Sequence, residues 1–499
     1  MSAIDTLYAL WGEIADLGAA LGLLEWDQET TMPPKGLEGR GKVNATLAGI
    51  RHSRITSPAL AAAIEAAAGE AAPGSDEEAQ VREARRVVQR VSRIPEELAR
   101  ARAEAEVRGH AAWKAARERS DFSLFHDALV QLLGIAREEG RLMAGEGGRP
   151  YDALLDRFEP GTTEADLVPL FAHLREGLVP IVRAVAESGT EVDESPLRGE
   201  FRREKQLAFA QHVATRMGFD FEAGRIDAAP HPFCSGAGTG DVRLTWRWHE
   251  DDVRSALFGI MHEAGHGLYE QGLPRRWERT PLGEAASYGM HESQSRLWEN
   301  AVGRSRAFWE WALPLYQTTF PAKRRVTLDE IWPALHTTKP SLIRVEADEG
   351  TYDLHIAIRF ELERALFAGD LDVADLPAAW SDAYAEVLGI RPRNTAEGVL
   401  QDIHWSMGAF GYFPSYTIGN FIQAQLWEAA HRDLAGLDGL LARGEFAPLL
   451  EWLRENVHRH GRRYSAAELV ERVTGRPLAP DAHLAARAAA AREVYGVTV

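Results

Sequence analysis

The stretch Met261-His262-Glu263-Ala264-Gly265-His266-Gly267 carries an HExxH spacing inside a long apolar run, Val253 to Leu268. Asp251 and Asp252 stand where helix caps are expected, and Gly272 followed by Pro274 supplies a stop, so the pattern predicts one buried helix over roughly 252–271. A residue advances about 100° per position on an α-helix, which puts His266 about 40° round from His262 and one turn along. Both imidazoles can then reach one metal ion as neutral ligands. Glu263 projects to the side of the pair, about 60° from His266. From there it can touch a water activated by the ion without ligating the ion, which is the geometry of a metalloprotease general base. The alternative, a chance match in an ordinary core helix, must leave three polar groups on one face of a buried helix, which is costly unless they are paired or bind metal.

The third ligand has to come from elsewhere. The longer metzincin pattern wants Gly at 269 and His at 272, and this chain has Tyr269 and Gly272. The remaining common arrangement takes a Glu from a following helix. The next helical stretch opens near Ser287 and contains His291-Glu292-Ser293-Gln294. Glu292 is the first choice, and spacing alone leaves Glu284 and Glu299 as competitors.

These residues carry a resemblance. His291-Glu292-Ser293-Gln294 after HExxH resembles the M32 family of metallocarboxypeptidases, the carboxypeptidase Taq type. Further stretches fit the same family in order: His231-Pro232-Phe233, Asp241-Val242-Arg243-Leu244-Thr245, Ile343-Arg344-Val345-Glu346-Ala347-Asp348, and Gly398-Val399-Leu400-Gln401-Asp402-Ile403-His404-Trp405. Near the N-terminus, Trp26-Asp27-Gln28-Glu29-Thr30-Thr31-Met32-Pro33-Pro34 is also similar. The likeness runs over essentially the whole chain. It implies removal of C-terminal residues from peptides, a two-sided, saddle-like helical shape with a deep groove, and a homodimer.

Composition narrows the classes independently. At 499 residues the chain can bury a large core, and a net charge of −18 argues against nonspecific nucleic-acid binding. Cys234 is the only cysteine, which fits a reducing cytoplasm and excludes an internal disulfide. The first residues lack the basic segment of a signal peptide, and no run approaches the ~18 uninterrupted apolar residues of a membrane span, so no membrane partner is expected.

The elements that must position the site are mainly helical. Apolar spacing predicts helices over about 4–24, 36–53, 122–145, 163–188 and 200–217. Between 76 and 118 the chain reads as two helices broken at Pro95, which could form a hairpin. Nothing in the first 200 residues has ligand spacing, so they read as scaffold and a wall or lid of the site. Val242, Leu244, Trp246 and Trp248 alternate strictly with polar residues, a strand signal just upstream of the metal helix. Such an edge can hold an extended substrate, or it can be an ordinary structural hairpin. In 398–421, Gly408, Gly411 and Gly419 among aromatic residues suggest backbone near a ligand, and His404, Tyr412 or Tyr416 could donate to an oxyanion or a carboxylate. A packed aromatic core explains the same residues. Arg344 and Arg359 lie among apolar neighbours, where an arginine more often serves as an ion-pair partner; the family resemblance reverses that for Arg344.

The expectation is one integrated all-α enzyme over 1–499 with a small β element beside the metal site: scaffold over 1–200, site and groove over 231–421, and C-terminal helices over 422–499. His262, His266 and Glu292 hold one divalent ion, zinc first and cobalt second, because imidazole and carboxylate ligands discriminate little between them. Glu263 is the base. A carboxypeptidase must also recognise a free carboxylate, and bidentate Arg243 and Arg344 are the candidates, helped by His404, Tyr412 and Tyr416. Two rivals stand beside this reading. One is an endo-acting oligopeptidase with the same metal site and no carboxylate clamp. The other is a non-catalytic helical scaffold with a structural metal, against which the intact Glu263 argues.

Overall fold

The helix carrying HExxH forms over Arg254–Gly272 in the computed structural model, which describes residues 2–498. It stops at Gly272 as the Gly272/Pro274 signal requires. Its start differs from expectation. Val253 is the N-cap residue, and Asp252 caps from one position earlier by accepting from the Arg254 N–H at 2.9 Å while binding the Arg254 guanidinium. The side-chain bond serves the same unsatisfied N–H groups, so the helix begins one turn-position later with its charge logic intact.

The protein is all-α with one small sheet. Its helices include Ala3–Thr30, Leu37–Ile55, Ser123–Ala144, Glu164–Glu187 and Arg203–Met217, close to the predicted bounds. Pro95 separates Asp76–Ser92 from Glu96–Arg119 as its missing N–H and fixed φ dictate. The chain divides into two compact units. One comprises Met1–Ser92, Asp193–Leu335 and Ile422–Leu478; the other comprises Arg93–Val192, His336–Phe421 and Ala479–Val499. Asp76–Ser92 therefore belongs to the first unit and Glu96–Arg119 to the second.

In the first unit, Ala3–Thr30 starts with a reciprocal Ser2/Asp5 capping box. This helix is long and apolar enough to cross a bilayer by composition. Leu7, Trp11 and Ile14 nonetheless sit in a core with Leu60, Ile64 and Val81. The same unit holds the sheet, in strand order β1-β3-β2, where β1 is Gly224–Ala228, β2 is Cys234–Gly236 and β3 is Val242–Trp246. β3 ends at Trp246, two residues short of the alternating pattern. β1 runs parallel to β3 and β2 antiparallel, so Arg225, Arg243 and Ser235 line one face while Ile226, Leu244 and Cys234 line the other. Thr245 ties this sheet to the preceding loop: its hydroxyl accepts from the Phe233 N–H at 2.7 Å and donates to the Phe233 carbonyl at 3.1 Å.

The Leu244 face packs on the HExxH helix, where a Cβ on Gly267 would stand 3.0 Å from Leu244 Cδ2. On its other flank this helix lies antiparallel to Tyr288–Arg296. That helix opens, as predicted, at Ser287, whose hydroxyl accepts from the Met290 N–H at 2.9 Å. Leu257, Ile260, Met261, Leu268 and Tyr269 are fully buried along the HExxH helix, each side chain stabilising by roughly 1.5–3 kcal/mol. The closest approach is at Gly265, where an added Cβ would lie 2.6 Å from Ser295 Cα and 2.7 Å from the Gln294 carbonyl oxygen. Both are backbone atoms and neither can swing away.

Gly265→Ala tests this contact. Alanine gains about 1 kcal/mol of helix propensity over glycine, whereas overpacking costs about 1–3 kcal/mol. Because the obstacle is backbone, the second effect is expected to win. The variant should melt several degrees below the parent in calorimetry, and an equal or higher Tm would show that the helices do not need this spacing.

Candidate metal centre

His262 and His266 leave one face of the HExxH helix a turn apart, and their rings meet edge to face with centroids at 4.8 Å. Each ring is held by its Nδ1. That of His266 donates to the His291 carbonyl at 3.1 Å, and that of His262 is 2.8 Å from Glu299 Oε2. A carbonyl can only accept, so His266 keeps its Nε2 lone pair free, and the carboxylate fixes the same tautomer on a neutral His262. Both Nε2 atoms face one oxygen: Glu292 Oε2 lies 3.5 Å from His262 Nε2 and 3.4 Å from His266 Nε2. Ligand atoms of the three residues all fall within 4.8 Å of one another. A tetrahedral ion with bonds of about 2.0–2.1 Å needs ligand–ligand edges of about 3.3–3.4 Å, and the two edges from Glu292 to the histidines match that requirement.

Glu263 meets the second requirement. It is buried, and its Oε2 makes no hydrogen bond to the protein. An orphaned buried carboxylate oxygen beside two imidazoles is costly in a purely structural site and serves a base awaiting a proton. Burial, then Glu292, pushes the Glu263 carboxyl up to about 7. Burial, then the neighbouring His291, pushes His266 down to about 3, which keeps that imidazole neutral. Burial opposes charge on His262 as well, but Glu292 and Glu299 outweigh it and raise this ring to about 9.

The three candidate third ligands part company. Glu292 points between the histidines. Glu299 stands behind His262 and bonds the nitrogen remote from Glu292. Glu284 is largely exposed and pairs with Arg462 at 2.6 Å. Glu299 reaches its place on a π-helical turn, Leu297–Val302, that continues the helix from Arg296; such turns recur at functional sites. Sequence reading weighed Glu299 only as a ligand, although its position seven residues after Glu292, about 20° round on an α-helix, marked it as a neighbour on the same face. The motif itself gives His291 no separate role. Its ring stacks on His266 at 4.3 Å, and its Nε2 is 2.9 Å from Glu270.

The arginine candidates occupy different units. Arg243, in the first, points to the sheet face opposite Leu244, away from the HExxH helix. Asp241 binds it through Nε at 2.8 Å and Nη2 at 2.9 Å, and its guanidinium lies 4.3 Å from the Trp26 ring centroid. Trp26, from the N-terminal motif, is flanked by Arg225 as well, at 4.9 Å. The second unit gathers the others. Arg344 is buried, bonds Asp402 through Nε at 2.9 Å and the Tyr352 hydroxyl through Nη1 at 3.1 Å, and lies 5.1 Å from the Tyr416 ring. Tyr416 OH is 3.2 Å from His404 Nε2, and the Tyr412 ring is 5.3 Å from that of His404. Asp402 also receives Arg359 Nε at 2.6 Å, and burial notwithstanding, the two guanidiniums hold its carboxyl well below the usual range. The pairing of Arg344 with Asp402 links two motifs some sixty positions apart, which no local spacing rule could reveal.

Residues 6–488 match the family model described as carboxypeptidase Taq (M32) metallopeptidase. The chain is 43% identical over 485 residues, 95% of each chain, to a thermostable carboxypeptidase 1 from Thermus thermophilus. It is 39% identical, over 94% of each, to a carboxypeptidase 1 from Bacillus subtilis. A solved M32 carboxypeptidase from Deinococcus radiodurans superposes with a TM-score of 0.96 at 41% identity, covering 99% of this chain and 100% of the other.

The geometry ranks the carboxylates by their effect on metal binding. Glu292→Ala should abolish stoichiometric uptake, and Glu299→Ala should weaken affinity about ten- to a hundredfold through loss of the His262 brace. Glu284→Ala should leave it unchanged. Titration of ion-stripped protein with zinc against a competing chelator measures all three, and full affinity in Glu292→Ala would reassign the ligand.

Proposed function

The chain belongs to the carboxypeptidase Taq (M32) family of metallopeptidases and is a metal-dependent carboxypeptidase, and we propose that it works through His262, His266 and Glu292 as ligands of one divalent ion and Glu263 as general base. The observation that carries this reading is the convergence of three ligand atoms beside a buried carboxylate oxygen with no protein partner. Zinc is the proposed ion, with cobalt compatible with the same ligands. When bound, the ion supplies Lewis acidity, polarising the scissile carbonyl and lowering the pKa of water. Glu263 Oε2 then accepts a proton from the attacking water and delivers it to the leaving amine. In the ion-free protein burial raises the affinity of this carboxylate for protons, which favours its role as acceptor of the water's proton. Glu299 on His262 and the His291 carbonyl on His266 keep the two imidazoles in place while the proton moves.

Recognition of the substrate C-terminus falls to Arg344 in this proposal. Two guanidiniums, Arg344 and Arg359, share the single carboxylate of Asp402. The excess positive charge in a buried setting suits an incoming carboxylate, and the hydroxyl of Tyr416 and the ring of His404 stand beside it as further hydrogen-bonding groups. Arg243 is proposed instead as a brace that fixes Trp26 against the sheet, since Asp241 and the indole already engage it. Family membership and the lone cysteine support a homodimer acting in the cytoplasm as the setting.

Two measurements test these roles. Glu263→Gln keeps the size and loses the base, so it should bind the metal as the parent does and lose turnover by on the order of a hundredfold or more; loss of metal from this variant would make Glu263 a ligand. For recognition, kcat/KM is compared on one peptide with a free C-terminus and on its amide. Arg344→Ala should lower the acid by roughly ten- to a hundredfold and the amide much less. Arg243→Ala should lower both together, along with Tm. Equal losses on acid and amide in Arg344→Ala would overturn the assignment of Arg344 as the carboxylate clamp.

A further inference from the structure

Glu292 presents Oε2 to the two histidines, and its other oxygen is already taken. Arg296, one turn along the same helix, donates from Nε to Glu292 Oε1 at 2.8 Å. The same guanidinium reaches Glu299 through Nη1 at 3.3 Å. Glu299 in turn holds His262 at 2.8 Å and faces Arg304 Nη2 at 3.7 Å. One side chain thus joins the non-coordinating oxygen of the third ligand to the carboxylate that orients the first. Arg296 is mostly buried, with 15% of its side chain exposed, against 10% for Glu292 and 13% for Glu299. Interactions between these charges are therefore screened far less than at a surface.

We propose that Arg296 is a built-in counter-ion that keeps the metal site assembled in the absence of metal and weakens the hold on the metal once it is bound. The inference rests on Glu292 being a ligand. The charges explain both halves. Two carboxylates, Glu292 and Glu299, meet two guanidiniums, Arg296 and Arg304, so these four groups balance before any cation arrives. Without Arg296 the carboxylates would repel each other in the ion-free protein. With Arg296 present, a divalent cation must bind beside a fixed positive charge, which lowers its affinity. Orientation of Glu292 does not depend on Arg296 alone, because Ser295 Oγ, which donates to the Glu292 backbone carbonyl at 2.6 Å, also lies 3.2 Å from Glu292 Oε2. His262 likewise keeps Glu299. With a cation bound, these contacts hold the ligands without Arg296, so removing its charge strengthens their pull on the cation. A residue that merely braced the ligands would do the reverse, since its loss would loosen the metal. Arg296 is a positioning residue of this unusual kind: it holds the ligand still and competes with the ion for its charge.

The experiment compares the full-length parent with Arg296→Gln, Arg296→Lys and Glu292→Ala, each stripped of metal and titrated with zinc alone against a chromogenic chelator. Arg296→Gln should bind zinc about tenfold tighter or more, while its ion-free Tm falls and the rise in Tm on adding zinc grows. Arg296→Lys, which keeps the charge, should stay within about threefold of the parent. If the ion-free Arg296→Gln protein does not stay folded, zinc-loaded protein is mixed with excess chelator, and its release of zinc should be slower than the parent's. Unchanged or weaker zinc affinity in Arg296→Gln, or faster release, overturns the proposal while Glu292→Ala still loses zinc. Parent-like zinc affinity in Glu292→Ala overturns it together with the ligand assignment on which it rests.

Discussion

Everything at the metal centre depends on how closely two antiparallel helices approach. The HExxH helix offers its histidines from one side, but Glu292, the proposed third ligand, belongs to the neighbouring helix. Glu292 reaches both Nε2 atoms only because the backbone of Ser295 can lie against Gly265, where any side chain would meet backbone atoms at 2.6–2.7 Å. The x positions of HExxH are thus not free: the one before the second histidine must be small for a packing reason. The same contact lets the His291 carbonyl receive His266. One glycine consequently sets both the reach of a ligand and the tautomer of another.

Burial makes that arrangement demanding. A carboxylate removed from water has to be paired or it takes up a proton. Glu292 and Glu299 satisfy the rule with arginines; Glu263 does not, and its affinity for protons rises. The contrast separates three glutamates of one site by environment alone. Two are kept charged and fixed, and the third is left near its titration point with a free oxygen. The proposed division of labour between ligand, brace and base matches which of these carboxylates have a guanidinium nearby.

Much of this was legible in the sequence because it depends on periodicity and caps. The C-terminal end of the HExxH helix and the Ser287 start rest on local signals along the chain, whereas spacing alone left Glu284 and Glu299 beside Glu292. The strand at Val242–Trp246 was legible from alternation, although Thr245, on the polar side of the pattern, is buried and the alternation overran the strand's end by two residues. What spacing could not supply was direction in space. Arg243 and Arg344 look alike as sequence, each an arginine in a family motif, yet strand parity turns Arg243 toward Trp26 while Arg344 is drawn to Asp402. The tie between Thr245 and Phe233 and the division of the chain into two units, each assembled from three separate segments, are likewise long-range. The π turn that seats Glu299 depends on backbone geometry that an α-helical projection does not contain.

The two buried arginine–carboxylate groups show how a common device can serve opposite ends. In the first unit, two guanidiniums meet two carboxylates, Arg296 and Arg304 with Glu292 and Glu299. In the second, two guanidiniums meet one, Arg344 and Arg359 with Asp402. Replacing either set by apolar residues of similar volume would often be neutral or stabilising, because the attraction within a buried ion pair is largely offset by the cost of desolvating it. Stability alone therefore does not account for such groups. Their stoichiometry does. A balanced set beside lone pairs of histidine leaves the local potential to be decided by the ligands, and suits a site that takes up a cation and can release it. A set with one positive charge in excess leaves a standing attraction for an anion, and the anion that every carboxypeptidase substrate brings is its own C-terminal carboxylate.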